Sequence, residues 1–261
     1  MILLLGGTIE GKQLAVRLKE MGYSFTATVV TDYGKELAVQ AAPDLDCVIR
    51  GTQDEKSLEK LIVENKISAV IDATHPFAVE ASLNAREAAV KRNVEYIRFE
   101  RPSLDMPACP LIHKVCGFPE AAAEAVKHGE VIFVAIGVNH LKPFVQAATA
   151  AEKQLVVRVL PVYFSLKKCS EMGLTPSQII AVQGVGSLEL NKILLKEFRA
   201  SLLVTKDSGD AGGTGNKIRA ALELNLPVVL IERPSVNFDY ENKVFKSIEE
   251  IVRYISQKYD V

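Results

Sequence analysis

Four stretches of this chain hold residue types able to grip anions or move protons, and the first is Leu5-Gly6-Gly7-Thr8-Ile9-Glu10-Gly11. It follows an apolar run. Glycines let a backbone turn tightly and approach a ligand closely, and the first N–H groups of a following helix then face a phosphate. Thr8 is placed to cap that helix and to offer its hydroxyl to the same anion, and Glu10 in the helix's first turn is counted with the cofactor contacts. The pattern is short of a full G-x-G-x-x-G, so a plain strand-to-helix turn is the competing reading.

Thr31-Asp32-Tyr33-Gly34 follows the second apolar run, where dinucleotide folds meet the adenine ribose. Asp32 favours a free 2′-hydroxyl, whereas Thr31, Lys35 and Arg50 suit a 2′-phosphate. These residues leave the choice between NAD and NADP open. Gly51, after the third run, joins the cofactor-side set.

Asp72-Ala73-Thr74-His75-Pro76-Phe77-Ala78 ends another apolar run in a polar triplet. Pro76 suits the start of a helix, where a missing N–H costs nothing. Thr74 and His75 then face the middle or the nicotinamide end of a cofactor, with Phe77 beside them. A histidine at a strand end is a proton donor near neutral pH; more commonly it only bonds a phosphate, a ribose or a backbone carbonyl.

The fourth stretch, Val204 to Thr214 with Lys217 beyond it, reads VTKDSGDAGGT. A glycine-rich loop flanked by Lys206 and Lys217 resembles a cradle for carboxylates, with Ser208, Gly212 and Gly213 in its wall. G-x-x-x-x-G-K-[ST] is absent, so it is no Walker loop, and a surface loop is the alternative. Ser187 in Gly184-Val185-Gly186-Ser187, and the arginines of Arg101-Pro102 and Arg233-Pro234, sit after runs of the same kind.

These stretches need elements to hold them at one end of a sheet. Apolar runs at Ile2–Leu5, Phe25–Val30, Cys47–Arg50, Ala69–Asp72 and Glu95–Phe99 read as strands, and segments of helical period lie between them. Pro102–Pro110 interrupts the rhythm. It resumes with strands at Val131–Ile136, Leu155–Leu160, Ile179–Val182, Leu202–Lys206 and Val228–Ile231, and helices at Pro119–Lys127, Leu188–Phe198, Asn216–Leu224 and Ile248–Gln257. The expected fold is α/β: two Rossmann-like domains, 1–101 for the dinucleotide and 102–261 on the substrate side, with mainly parallel sheets and a cleft between them. The glycine, hydroxyl and charged clusters fall at the carboxyl ends of the strands, where such folds bind ligands.

Composition bounds the partners. The chain has 261 residues, 48% of them hydrophobic and 24% charged, with a formal net charge of -1. It therefore has no basic excess for a nucleic-acid backbone and no polybasic tail for an anionic membrane. Its apolar runs fall short of the roughly 18–20 residues that span a bilayer, and its start lacks the basic and long apolar parts of a signal peptide. A cytoplasmic protein is expected. Cys47, Cys109, Cys116 and Cys169 are too scattered for a disulfide framework, and Cys109, His113 and Cys116 lack a fourth ligand, so no metal is expected.

LLLGGTIEGKQLA, TDYGKELA, DATHPFA, RFERP, TKDSGDAGGTGNKIRAA and a later IERP run in order from Leu3 to Pro234. Together they resemble the precorrin-6A reductase family of cobalamin biosynthesis, including its cobalt-precorrin-6A relatives. DATHPFA with KDSGDAGG carries the resemblance far more specifically than the opening glycines. It implies an NADPH-dependent reductase that reduces one double bond of a ring-contracted tetrapyrrole to the 6B form. On that likeness Gly6, Gly7 and Thr8 hold the pyrophosphate, Thr31–Gly34 lie at the adenosine end, and Thr74, His75 and Phe77 flank the cofactor toward the nicotinamide. Lys206, Ser208 and Gly212 face the macrocycle. The family often reads G-P-F-S-x-x-x-N where this chain has Gly184-Val185-Gly186-Ser187 through Asn191; the missing Pro and ring bear on the shape of the substrate wall, not on the reaction class.

Such a reduction needs a proton beside the hydride, and His75, Asp207 and solvent are the candidates. A flat, carboxylate-fringed substrate needs apolar walls with scattered Lys and Arg, for which Lys206, Lys217, Arg101 and Arg233 are available. The other readings are a different NADP-linked reductase on the same fold and a non-catalytic sensor of NADP(H).

Overall fold

All four residues of β1, Ile2–Leu5, are buried, because both faces of the strand are covered. The chain continues through α1 (Ile9–Glu20), β2 (Phe25–Val29), β3 (Val48–Arg50), α2 (Glu55–Glu64), β4 (Ala69–Asp72), α3 (Val79–Lys91) and β5 (Glu95–Phe99). Ile2 and Leu4 enter one core with Leu14 and Leu18 of α1. Leu3 and Leu5, one residue out of step, enter another with Leu58 and Ile62 of α2 and Ala85, Ala88 and Ala89 of α3. The period-2 alternation of a strand thus assigns a helix layer to each face.

The computed structural model describes residues 1–29, 48–51, 53–104, 108–234 and 243–259. The chain divides into two units, Met1–Pro102 with Ser235–Val261, and Ser103–Pro234. The second unit holds β6 (Ile112–Val115), α4 (Phe118–His128), β7 (Val131–Ala135), α5 (Lys142–Ala150), β8 (Gln154–Val159), α6 (Tyr163–Glu171), β9 (Ile179–Ala181), α7 (Leu188–Glu197), β10 (Leu202–Lys206), α8 (Thr214–Glu223) and β11 (Val228–Ile231). Then β12 (Lys243–Phe245) and α9 (Ile248–Lys258) return to the first.

Each unit has a six-stranded sheet, ordered β12-β5-β4-β1-β2-β3 and β6-β11-β10-β7-β8-β9, and the pairings between these strands are parallel. The two orders are alike, except that the outer strand beyond β5 is the last of the chain and the outer strand beyond β11 precedes the other five. The expectation that 102–261 forms one domain is corrected here. Phe245 pairs with Phe99, and Ile251 and Ile255 of α9 join Leu14 and Leu18 in the core of the first unit. Tyr254 and Tyr259 bind the Glu95 carboxylate of β5, Tyr259 at 2.5 Å, and Lys258 adds an ion pair to it at 2.7 Å.

β6, β12, α5 and α6 have no counterpart among the elements expected from the sequence. β12 is a three-residue edge strand with exposed positions, and α6 exposes Tyr163, Phe164 and Leu166, so neither displays a regular apolar stripe. Among the described residues no helix is long and apolar enough to cross a membrane.

Candidate functional site

In the first sheet β1 lies between β2 and β4, so the carboxyl ends of β1 and β4 flank the point where the strand order reverses. Gly6–Thr8 leave one end and Ala73–His75 the other. The two are tied together: Thr8 Oγ1 donates to the Ala73 carbonyl at 2.7 Å and accepts the Gly11 N–H at 3.0 Å. The one hydroxyl proton of Thr8 is therefore engaged, and Thr8 positions the loop rather than giving that proton to an anion.

Gly7 has φ +96°, and a Cβ there would stand in open space; one on Gly11 would meet Gly6 Cα at 2.9 Å. The glycines thus serve a left-handed turn and a close helix–loop contact. Among the described residues no acceptor takes the N–H of Gly7, Thr8, Ile9 or Glu10. Open donors at a helix N-terminus, over a turn whose Gly6 and Gly7 carry no side chain, fit the diphosphate of a dinucleotide.

Glu10 and Arg101 stand at the same end of the sheet but face each other. Arg101 Nε and Nη2 each meet a Glu10 oxygen at 2.6 Å, and both residues are buried. Glu10 is therefore turned to Arg101 rather than to a cofactor, and the charge of Arg101 is answered within the unit, a different occupation for both from the ligand contacts expected.

Asp72, fully buried at the end of β4, pairs with Arg98 at 2.7 Å and accepts from Tyr96 Oη at 2.6 Å and Thr74 N–H at 2.9 Å. Burial pushes its carboxyl up, but Arg98, Tyr96, Ser82 and the Thr74 N–H outweigh that and hold the pKa below the usual carboxylate range. The same burial, with the Asp72 charge, pushes the Tyr96 phenol upward. Arg98 also donates to Thr74 Oγ1 at 3.0 Å, and that hydroxyl lies 3.2 Å from Ser82 Oγ. Thr74 is thus bound into the network beneath the loop. His75 Nδ1 accepts the Phe77 N–H at 3.1 Å, which leaves the proton of a neutral ring on Nε2.

Thr31, Asp32, Tyr33 and Gly34 lie outside the described residues, as do Lys35 and the side chain of Arg50. Gly51 closes β3 with φ +115° and donates to the Val29 carbonyl at 2.9 Å.

In the second unit the loops after β9 and β10 meet. A Cβ on Gly213, whose φ is +63°, would stand 2.4 Å from Val185 Cβ, and one on Gly186 would lie 3.3 Å from Arg158 Nη2. Ser187 caps α7, accepting the Leu190 N–H at 3.1 Å. Thr214 Oγ1 accepts the Ser208 N–H and donates to the Lys206 carbonyl, which folds the glycine loop over the end of β10; Ser208 itself is buried. Arg233 braces the loop through Asp207, with Nε 3.2 Å from Oδ2 and 3.1 Å from the carbonyl. Asp207 Oδ1 also takes the Gly209 N–H at 3.1 Å. Both residues are thereby committed to the shape of the loop.

Sequence reasoning missed Arg158 and Arg98. Each is a charged residue inside an apolar strand, QLVVRV and EYIRF, and a charge in a run destined for burial is the signal that would have found them. It also paired His113 with cysteines, whereas the structure gathers His113 with Glu124 and His128, their ligating atoms within 4.8 Å of one another. Glu124 is already answered there by Lys127 and His128, each at 2.7 Å.

The model of the family described as "Precorrin-6x reductase CbiJ/CobK" matches residues 1–256. The chain belongs to this family. Among CbiJ/CobK relatives, the cobalt-precorrin-6A reductase of Methanothermobacter thermautotrophicus is 35% identical over 97% of this chain and 83% of its own. That of Priestia megaterium is 36% identical over 97% and 96%. The solved structure of "CobK precorrin-6A reductase" superposes with a TM-score of 0.79 at 26% identity, covering 98% of this chain and 96% of that one. As a CbiJ/CobK reductase the chain is an oxidoreductase, and a reductase of this kind implies a nicotinamide cofactor.

Proposed function

We propose that this protein reduces one ring double bond of cobalt-precorrin-6A in cobalamin biosynthesis, with NADPH as the electron donor. Membership of the CbiJ/CobK family supports the reaction, and the names of the relatives at 35% and 36% identity support the cobalt form of the substrate. The observation that carries the cofactor side is the row of open N–H groups from Gly7 to Glu10. Thr31, Lys35 and Arg50 in the sequence suit the 2′-phosphate, and the composition favours a cytoplasmic enzyme with no nucleic-acid or membrane partner.

A bound nicotinamide supplies the hydride. The chain's own part is to bind, orient and protonate. Gly7 to Glu10 hold the diphosphate, while Phe77 and His75 flank the reactive end. His75 is our candidate for the proton, carried on Nε2, because Asp207 is engaged by Arg233 and Gly209. On the substrate side Lys206 and Lys217 face carboxylates, with Gly212 beside them, Gly213 admitting Val185 against the loop, and Ser187, Ser208 and Arg233 fixing the two loops.

The spacing Tyr-x-x-x-Lys, used by other NADP-linked reductases, occurs at Tyr163–Lys167 and Tyr254–Lys258. Tyr254 and Lys258 are bonded to Glu95, and Tyr163 is 79% exposed on α6, so neither pair favours that alternative. The test is an anaerobic absorbance assay at about 340 nm with NADPH and cobalt-precorrin-6A. Oxidation of NADPH matched by substrate consumption is expected. Binding of NADPH with no oxidation would overturn the enzyme reading in favour of a sensor.

A further inference from the structure

Four cationic side chains are buried among the described residues: Arg98, Arg101, Arg158 and Lys217. The first two are answered by Asp72 and Glu10. The other two are not. Arg158 on β8 is 6% exposed and Lys217 on α8 is 9% exposed. Arg158 donates to Asn191 Oδ1 at 2.8 Å and to the Gly184 carbonyl at 2.7 Å, and Lys217 Nζ to the Gly212 carbonyl at 2.9 Å. Every one of these acceptors is neutral, and no carboxylate among the described residues comes within 4.0 Å of either cation.

Neutral acceptors do not offset the desolvation of two positive charges. The charges acting on Lys217 add to the imbalance, since they come from Arg158 on β8 and Lys206 on β10 and all are positive. The surroundings are built to bring backbone close to these groups. A Cβ on Gly186 would approach Arg158 Nη2 to 3.3 Å and Asn191 Nδ2 to 3.1 Å, and Gly213 has no room for a Cβ against Val185.

We infer that Arg158 and Lys217 form a carboxylate-binding pocket whose counter-ion is a carboxylate of the substrate, with Arg158 as a determinant of substrate affinity. The inference rests on the proposed function for the identity of the ligand, a carboxylate-fringed tetrapyrrole. The charge imbalance rests on the structure alone. Arg158 supplies a planar fork suited to two oxygens and Lys217 a point charge with donors to spare. Burial and the neighbouring cations bring Lys217 down to about 8. An arriving carboxylate favours its ammonium form, so binding above that pH draws a proton from the buffer.

The experiment uses the full chain and three variants, Arg158→Gln, Arg158→Lys and Lys217→Met. In steady state with NADPH saturating, Arg158→Gln and Lys217→Met are each expected to raise KM for cobalt-precorrin-6A by about 10–100-fold, the loss of one charge-assisted bond. Arg158→Lys recovers part of that, and Kd for NADPH stays within about twofold in all three, since Gly7 to Glu10 belong to the other unit. Calorimetry of substrate binding to the wild-type protein at about pH 8.5, in two buffers of different ionisation enthalpy, is expected to show proton uptake that Lys217→Met abolishes. Urea unfolding without substrate is expected to give Lys217→Met a midpoint equal to or above that of wild type, because an unanswered buried charge has been removed.

A wild-type KM in both neutral variants, with the wild-type protein active, would overturn the pocket and leave the reductase reading intact. A clear loss of stability in Lys217→Met would also overturn it, by making the lysine a structural group. A raised midpoint in Lys217→Met with no wild-type turnover of cobalt-precorrin-6A would overturn the tetrapyrrole as the ligand.

Discussion

Arg101 reaches across 91 positions of sequence to clasp Glu10 with two bonds of 2.6 Å. The pair stands beside the open N–H groups that we propose hold a diphosphate, and an unanswered Glu10 carboxylate there would repel it. Arg101 fastens the end of β5 to the start of α1, and on the proposed reading it also serves the cofactor by neutralising Glu10.

Breaking this pair from one side leaves a buried charge. Arg101→Met is expected to cost about 3–5 kcal/mol of stability and to weaken NADPH binding as well. Replacing both partners, Glu10→Met with Arg101→Met, is expected to restore most of the stability. Urea unfolding of the two singles and the double, as a mutant cycle, measures it. A double no more stable than Arg101→Met alone would contradict the pairing.

Gly7 has room for a methyl group but a φ of +96° that side chains resist. Gly7→Ala is expected to cost about 1 kcal/mol of stability. The larger effect falls on binding, because relief of the strained φ would shift the turn that sets out the open N–H row. Kd for NADPH is expected to rise at least about tenfold, read by tryptophan-free fluorescence of the nicotinamide or by calorimetry.

The acid limit of stability follows from Asp72. Its folded pKa is held below the ordinary carboxylate value, so its contribution is complete above about pH 4, the unfolded range, and is lost as pH falls through the folded value. Asp72→Asn also leaves Arg98 buried without its carboxylate, which is expected to cost about 3–5 kcal/mol at neutral pH. Unfolding midpoints from neutral pH into acid should therefore fall less steeply in the variant than in the wild type. Parallel profiles would show that the carboxylate contributes nothing.

His75 holds the Phe77 N–H through Nδ1, and an asparagine there can accept the same bond. His75→Asn is thus expected to keep the fold and NADPH affinity while lowering kcat about 100-fold or more, the range of a lost proton donor. Unchanged kcat and pH profile would assign the proton to solvent and reduce His75 to a turn residue.

Much of this protein was legible in its residues. The β1 run, the glycines after it and Thr8 mark a strand, a turn and a capped helix, because hydrogen bonding and sterics within a few residues decide such features. The strand runs from Ala69 to Phe99 and from Leu202 to Ile231 were legible for the same reason. DATHPFA and KDSGDAGG pointed to the family that the whole-chain match established.

Local pattern could not say which partner a buried group would find. The apolar stripe of α9 requires a cover but does not name it, and only the packed chain places Ile251 and Ile255 against Leu14 and Leu18. Glu10 and Arg101 each looked like a ligand contact until the fold set them face to face. Lys217 stood out beside the glycine loop, but Arg158, 59 positions away, joined it only when both were withdrawn from water into one unit. Sequence specifies where charge and apolar surface lie along the chain; desolvation, which decides what each charge must pair with, exists only in the tertiary structure.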